Sequence, residues 1–92
     1  MTQEKFLEIF NDEDNKIKRK WDGDNALQGL LILAKYIDPT KKDIICGADH
    51  DIIYGPEISD LVDGGITEED VIKLKSLNWG LSDDNYCLTC FV

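Results

Sequence analysis

Basic residues are scarce in the second half of this chain. Residues 43–92 contain eleven acids and only two bases, Lys73 and Lys75. Residues 1–21 and 22–42 are each neutral, so the whole net charge of −9 over 92 residues lies in the second half. That balance excludes ordinary nucleic-acid binding, which needs a basic face, and polybasic docking on anionic lipid. Long apolar runs are missing too. The longest, Leu30 to Ala34, falls far short of a bilayer span. The opening Met-Thr-Gln-Glu-Lys lacks the basic-then-apolar pattern of a secretory signal. Three cysteines, Cys46, Cys87 and Cys90, are an odd number, which argues against a disulfide framework. The expectation is a cytoplasmic chain with reduced thiols.

Catalytic signatures are equally thin. There is one histidine, no Walker sequence and no Gly-x-Gly-x-x-Gly loop. Ser59, Ser76 and Ser82 sit in no elbow or triad context, and Cys46 with His50 has no identifiable oxyanion site. The sequence therefore predicts a protein that is not an enzyme and takes no cofactor.

What is present is patterned apolar residue content sufficient for a packed core, 42% of the chain. Phe6, Ile9, Phe10, Ile17 and Trp21 recur at helical spacing and predict a first helix from Thr2, its cap, to Trp21, with the polar run Asn11 to Asn15 a point where it can break. Asp24 or Asn25 caps a second helix carrying Ala26, Leu27, Leu30, Leu31, Leu33, Ala34 and Ile37 as a wide core stripe, ended by Asp38-Pro39. Gly29 within it costs helix propensity, and close approach by a neighbour is the reason expected for it. Ile44-Ile45 and Ile52-Ile53 bracket a polar centre. They read as a hairpin turning at Gly47 to Asp49, or as one long strand.

Glu57 to Val62 reads as a short helical turn after Pro56, closed by Gly64-Gly65. Thr67 caps a helix bearing Val71, Leu74 and Leu77, with Trp79-Gly80 ending it and Trp79 in the core. Tyr86 to Val92 is a closing strand, with Leu88 on one face and Cys87 and Phe91 on the other; a strand apolar on both faces belongs inside a sheet or under a helix. The fold class that follows is α+β over residues 1–92 as one domain: two N-terminal helices, a small, mostly antiparallel sheet, and a helix before the C-terminal strand.

The string Gly65-Ile-Thr-Glu-Glu-Asp-Val71, then Leu77-Asn78-Trp79, an acidic turn and Cys90-Phe91-Val92, with Asp49-His50-Asp51 and Tyr54 upstream, resembles a group of short, acidic bacterial and phage proteins. The resemblance covers about the last half of the chain. It implies a phage or mobile-element origin. Small acidic proteins of that origin often inhibit host defence enzymes. No activity is attached to the motifs themselves.

Two constellations compete for a role. Cys46, His50, Cys87 and Cys90 supply three thiols and an imidazole, a legitimate set for structural zinc. Against it, Cys87 and Cys90 on a strand point to opposite faces, so the expectation is no bound metal. The second is the acidic surface: Asp49, His50, Asp51, Glu57, Asp60, Asp63, Glu68, Glu69, Asp70, Asp83 and Asp84, with Tyr54 as an aromatic anchor. Regularly placed carboxylates occupy a Lys/Arg-lined groove in place of phosphates. The expected partner is thus a basic protein surface, that of a nucleic-acid-binding protein. The plainer alternatives are an exposed turn at Asp49-His50-Asp51 and a homo-oligomer whose acidity serves only solubility.

Overall fold

A computed structural model of the protein describes residues 1–12 and 23–91. Helix α1 (Gln3–Asn11) starts where Thr2 Oγ1 accepts from the Lys5 amide at 3.1 Å. It buries Phe6, Ile9 and Phe10, with the two phenyl rings stacked at 5.4 Å. It ends at Asn11, inside the polar run where a break was expected, with Asp12 extended; the rest of the predicted stretch, including Ile17 and Trp21, falls among residues 13–22, outside the described ones.

Helix α2 (Asn25–Leu33) is capped by the Asp24 carboxylate, which accepts from the Leu27 amide at 3.0 Å. It ends at Leu33, ahead of the expected Asp38-Pro39 stop, and its buried face differs from the predicted stripe. Asn25, Gly29, Ile32 and Leu33 face the core, whereas Leu27 and Leu31 are 52% and 64% exposed. The reason is Gly29. A side chain there would overlap the indole of Trp79, so this is the face that approaches most closely. Trp79 Nε1 donates to the Asn25 carbonyl at 3.1 Å, and Asn25 Nδ2 donates to the Leu77 carbonyl at 2.8 Å. The start of α2 is thereby clamped to the end of the last helix.

The hairpin reading holds, with its turn displaced. Strand β1 (Gly47–Asp49) pairs antiparallel with β2 (Ile52–Glu57), and the turn is His50-Asp51 rather than Gly47 to Asp49. Ile44 and Ile45 lie before the first strand, not in it. After β2, helix α3 (Ile58–Asp63) closes on Gly65, whose φ of +85° only glycine adopts freely; the Ile66 amide then donates to Leu61 O at 3.1 Å. Helix α4 (Glu68–Ser76) begins at Thr67, whose hydroxyl accepts from the Asp70 amide. It stops because Asn78 takes a left-handed conformation, φ 66°.

Trp79 and Gly80 do more than end that helix. They belong to a third strand, β3 (Trp79–Leu81), which the sequence reading missed. A polar turn with Asn85 at φ 56° leads to β4 (Cys87–Phe91). The sheet order is β1-β2-β4-β3, and every neighbouring pair is antiparallel. The fold is therefore α+β, as expected. Its core-side face presents Ile53, Leu88, Cys90, Trp79 and Leu81 to Phe6, Leu33, Leu61, Val71 and Leu74 of the helices. Among the described residues no helix is long and apolar enough to cross a membrane.

Candidate functional site

Strand alternation assigns the other face of the sheet. Cα register pairs Ile52 with Phe91, Tyr54 with Thr89 and Gly47, and Glu57 with Cys87 across an irregularity after Tyr54. These residues share the face turned away from the helices. Thr89, on the inner strand, is only 6% exposed there, Ile52 and Tyr54 are half-buried, and Phe91 is 61% exposed. The prediction that β4 lies inside the sheet is right, and no described helix packs on its Cys87/Phe91 face. Asp49, opposite Ile52, puts a carboxylate at one corner of this face; Asp51 follows it in the turn. The Asp49 carboxylate also accepts from the His50 amide at 2.9 Å, so it shapes the turn as well as charging it.

A second acidic group gathers at the opposite end of the sheet. The Glu57 carboxylate beside the exposed Tyr86 hydroxyl holds that phenol above its usual range, with Asp60 and Asp84 adding in the same direction. The Asp84 carboxylate is lowered, first by the Ser82 hydroxyl that donates to it at 2.6 Å and then by the Tyr86 amide. Asp83 lies in the same turn and is exposed. The sequence stretches that form the sheet and its two hairpins, 47–57 and 79–91, carry Asp49, Asp51, Glu57, Asp83 and Asp84 and no lysine or arginine.

The helical layer treats its charges differently. Lys5 pairs with Glu68 at 3.4 Å, Lys35 with Asp70 at 3.1 Å and Lys42 with Asp60 at 3.2 Å. The Asp70 side chain is only 13% exposed and also accepts from the Tyr36 hydroxyl. That bond, ahead of Lys35, holds its acid below the ordinary range. Asp70 therefore does not complete a reciprocal capping box; its carboxylate is turned to α2. Lys75, one of the two bases of the second half, is 5% exposed, and its ammonium donates to the carbonyls of Ile9 and Asp12 at 2.9 Å each. It caps the C-terminal end of α1, where the helix dipole favours a cation. Asp63 and Glu69 are exposed, at the end of α3 and in the first turn of α4. The predicted acidic residues thus divide between a partly neutralised helical layer and sheet positions, Asp49, Asp51, Glu57, Asp83 and Asp84, that enter no ion pair among the described residues.

The alternative zinc ligands are not brought together. Cys90 is fully buried on the core side, Cys87 faces the other way, and Cys46 is exposed ahead of β1. Among the described residues no group of three or more His, Cys, Asp or Glu side chains is placed to hold a metal ion. Two of the thiols, Cys46 and Cys90, are also poor thiolate sources. Burial, then neighbouring Asp43, pushes Cys46 up, and burial, then Asp24, raises Cys90. Comparison of the chain with protein-family models, curated proteins and solved structures gave no match.

Proposed function

We propose that this protein is a non-enzymatic binding protein whose acidic surface engages a basic surface of a protein partner. The observation that carries the reading is the uneven treatment of charge. Among the described residues, Lys5, Lys35 and Lys42 enter ion pairs and Lys75 a buried cap, while the segments of the sheet and its hairpins hold five acids and no lysine or arginine. Such a surface repels phosphates and attracts Lys/Arg-lined grooves, which favours proteins that handle nucleic acid. Within that class, the finer reading is an inhibitor, of phage or mobile-element origin, of a host defence enzyme.

At physiological salt, charges beyond a Debye length of about 8 Å are screened, so clustered acids dominate association. The test is a salt series of association rates with a partner recovered from the native host. Asp49→Lys with Asp51→Lys slows association and flattens its salt dependence; Glu4→Lys with Glu8→Lys does much less. Equal effects from the two pairs, or a partner with an acidic contact surface, reduce the charge to a solubility feature.

A further inference from the structure

Building on that reading, we infer that the docking surface is the open face of the sheet, and that its occupant presents apolar side chains one helical turn apart, flanked by lysine or arginine: the apolar stripe of a basic amphipathic helix. The register of β2 and β4 makes Ile52, Phe91 and Tyr54 one continuous strip on the face away from the core. Phe91, at the end of β4, is 61% exposed, and no described helix packs on that side, since the helices contact the Ile53, Leu88 and Cys90 face. Ile52 and Phe91 are direct cross-strand partners, about 4.5–5.5 Å apart, close to the helical pitch of about 5.4 Å, so successive turns of a helix lying across the strands can address both residues.

Charge chooses among occupants. Asp49 lies on this face at the hairpin end and Glu57 at the other, with Asp51 adjoining in the turn. No lysine or arginine occurs in the segments that build the sheet. A second copy docking by the same face would set carboxylates against carboxylates around an apolar centre. A partner with cations flanking its apolar stripe satisfies both parts. The strip supplies the desolvated anchors and the acids supply the encounter rate, a division usual in charged interfaces. Glu68 and Asp70 of α4 are left outside this surface, because they already face Lys5 and Lys35.

The experiment is an amide-shift titration of the intact chain with a short amphipathic helix of leucine and lysine, beside a control peptide of equal charge with glycine for leucine. The expected result is shifts centred on Ile52, Tyr54 and Phe91, weak and diffuse binding of the control, and loss of affinity with added salt. Phe91→Ser, at an exposed position, keeps the native spectrum and weakens the leucine–lysine peptide about tenfold. Shifts centred on Glu68 to Asp70, or equal binding of the glycine control, overturn the sheet-face assignment while leaving the acidic-surface reading intact. Absence of binding by either peptide at low salt overturns both. Concentration-dependent shifts along the strip without peptide, strengthened by salt, identify the occupant as a second copy and overturn the choice made here.

Discussion

Replacing Gly29 by alanine separates local propensity from tertiary packing in α2. By propensity alone the change stabilises a helix interior by about 1 kcal/mol. The structure dictates the opposite sign. A methyl group on Gly29 would overlap Nε1 and Cε2 of Trp79 and lie 2.8 Å from Cδ1. Carbon atoms in contact normally sit about 3.5–4.0 Å apart, so helix and indole must separate by an ångström or more. Trp79 is fully buried, so it has no free space into which to retreat. Overpacking of this kind costs about 1–3 kcal/mol. Separation also stretches the bond from Trp79 Nε1 to the Asn25 carbonyl, now 3.1 Å, worth about 1 kcal/mol. Against the propensity gain, the net cost is about 1–3 kcal/mol. In urea, with a slope of about 1 kcal/mol/M for a chain this small, the midpoint falls by about 1–3 M. Gly47→Ala is the control, since its methyl meets Tyr54 at an ordinary 3.6 Å, and it leaves the midpoint nearly unchanged. A Gly29→Ala protein as stable as the parent, or more so, would refute the close approach and with it the orientation of α2.

Three further outcomes are expected. Leu33→Ala, at a fully buried position, costs about 2–5 kcal/mol in urea unfolding, whereas Leu31→Ala, 64% exposed, stays within about 0.5 kcal/mol; the reverse ranking contradicts the buried face described. Lys75→Met keeps the apolar stem but removes the donor to Ile9 and Asp12, so it costs about 1–3 kcal/mol and speeds hydrogen exchange in α1. Exchange accelerated only in α4 would show that the ammonium does not anchor α1. Asp70→Asn costs about 1 kcal/mol at neutral pH. Because the folded acid is lowered relative to the unfolded chain, its contribution is present above the unfolded pKa and is lost as pH falls through the folded one. The difference between parent and variant therefore closes below about pH 4, and a difference constant down to pH 2 would exclude the Tyr36 and Lys35 contacts as its source.

The elements that were legible in the sequence are those with a local cause. Thr2 and Thr67 each cap the helix they were expected to cap, and Asp24 is the one of the two expected candidates, Asp24 or Asn25, that caps α2, because an oxygen side chain three residues ahead of a free amide is a purely local arrangement. The turns of β1 and β3 had no such signal. Gly47-Ala48-Asp49 and Trp79-Gly80-Leu81 are three residues each and contain glycine, and they are strands only because β2 and β4 pair with them. Helix α2 was present as expected, and Leu33 and Ile37 of its stripe are buried with Ala26 and Leu30 packed beside them, but Leu27, Leu31 and Ala34 were misassigned to the core. Nearly every position from Ala26 to Leu33 is apolar, so hydrophobicity alone leaves its rotation undetermined. The decisive residue was Gly29, correctly expected to mark a close approach; extending its spacing to Asn25, Ile32 and Leu33 would have given the buried face.

The acidic surface was legible as composition and illegible as geometry. Eleven acids after residue 42 state an excess without saying where it can act. Glu68-Glu69-Asp70 is the densest run in sequence, yet two of its three carboxylates face lysines brought from α1 and the end of α2. Those lysines are far off in sequence, so only the packing of helix on helix reveals the neutralisation. Asp49 and Asp51 look weaker as a pair, but the hairpin holds them at the end of a sheet whose strands contain no base. Charge density along the chain therefore ranks the two clusters one way and three-dimensional compensation ranks them the other. The same logic applies to Phe91 and Ile52. Each reads as an ordinary core residue in its own strand, and only the register between β2 and β4 joins them into an apolar strip on the face that the helices leave open.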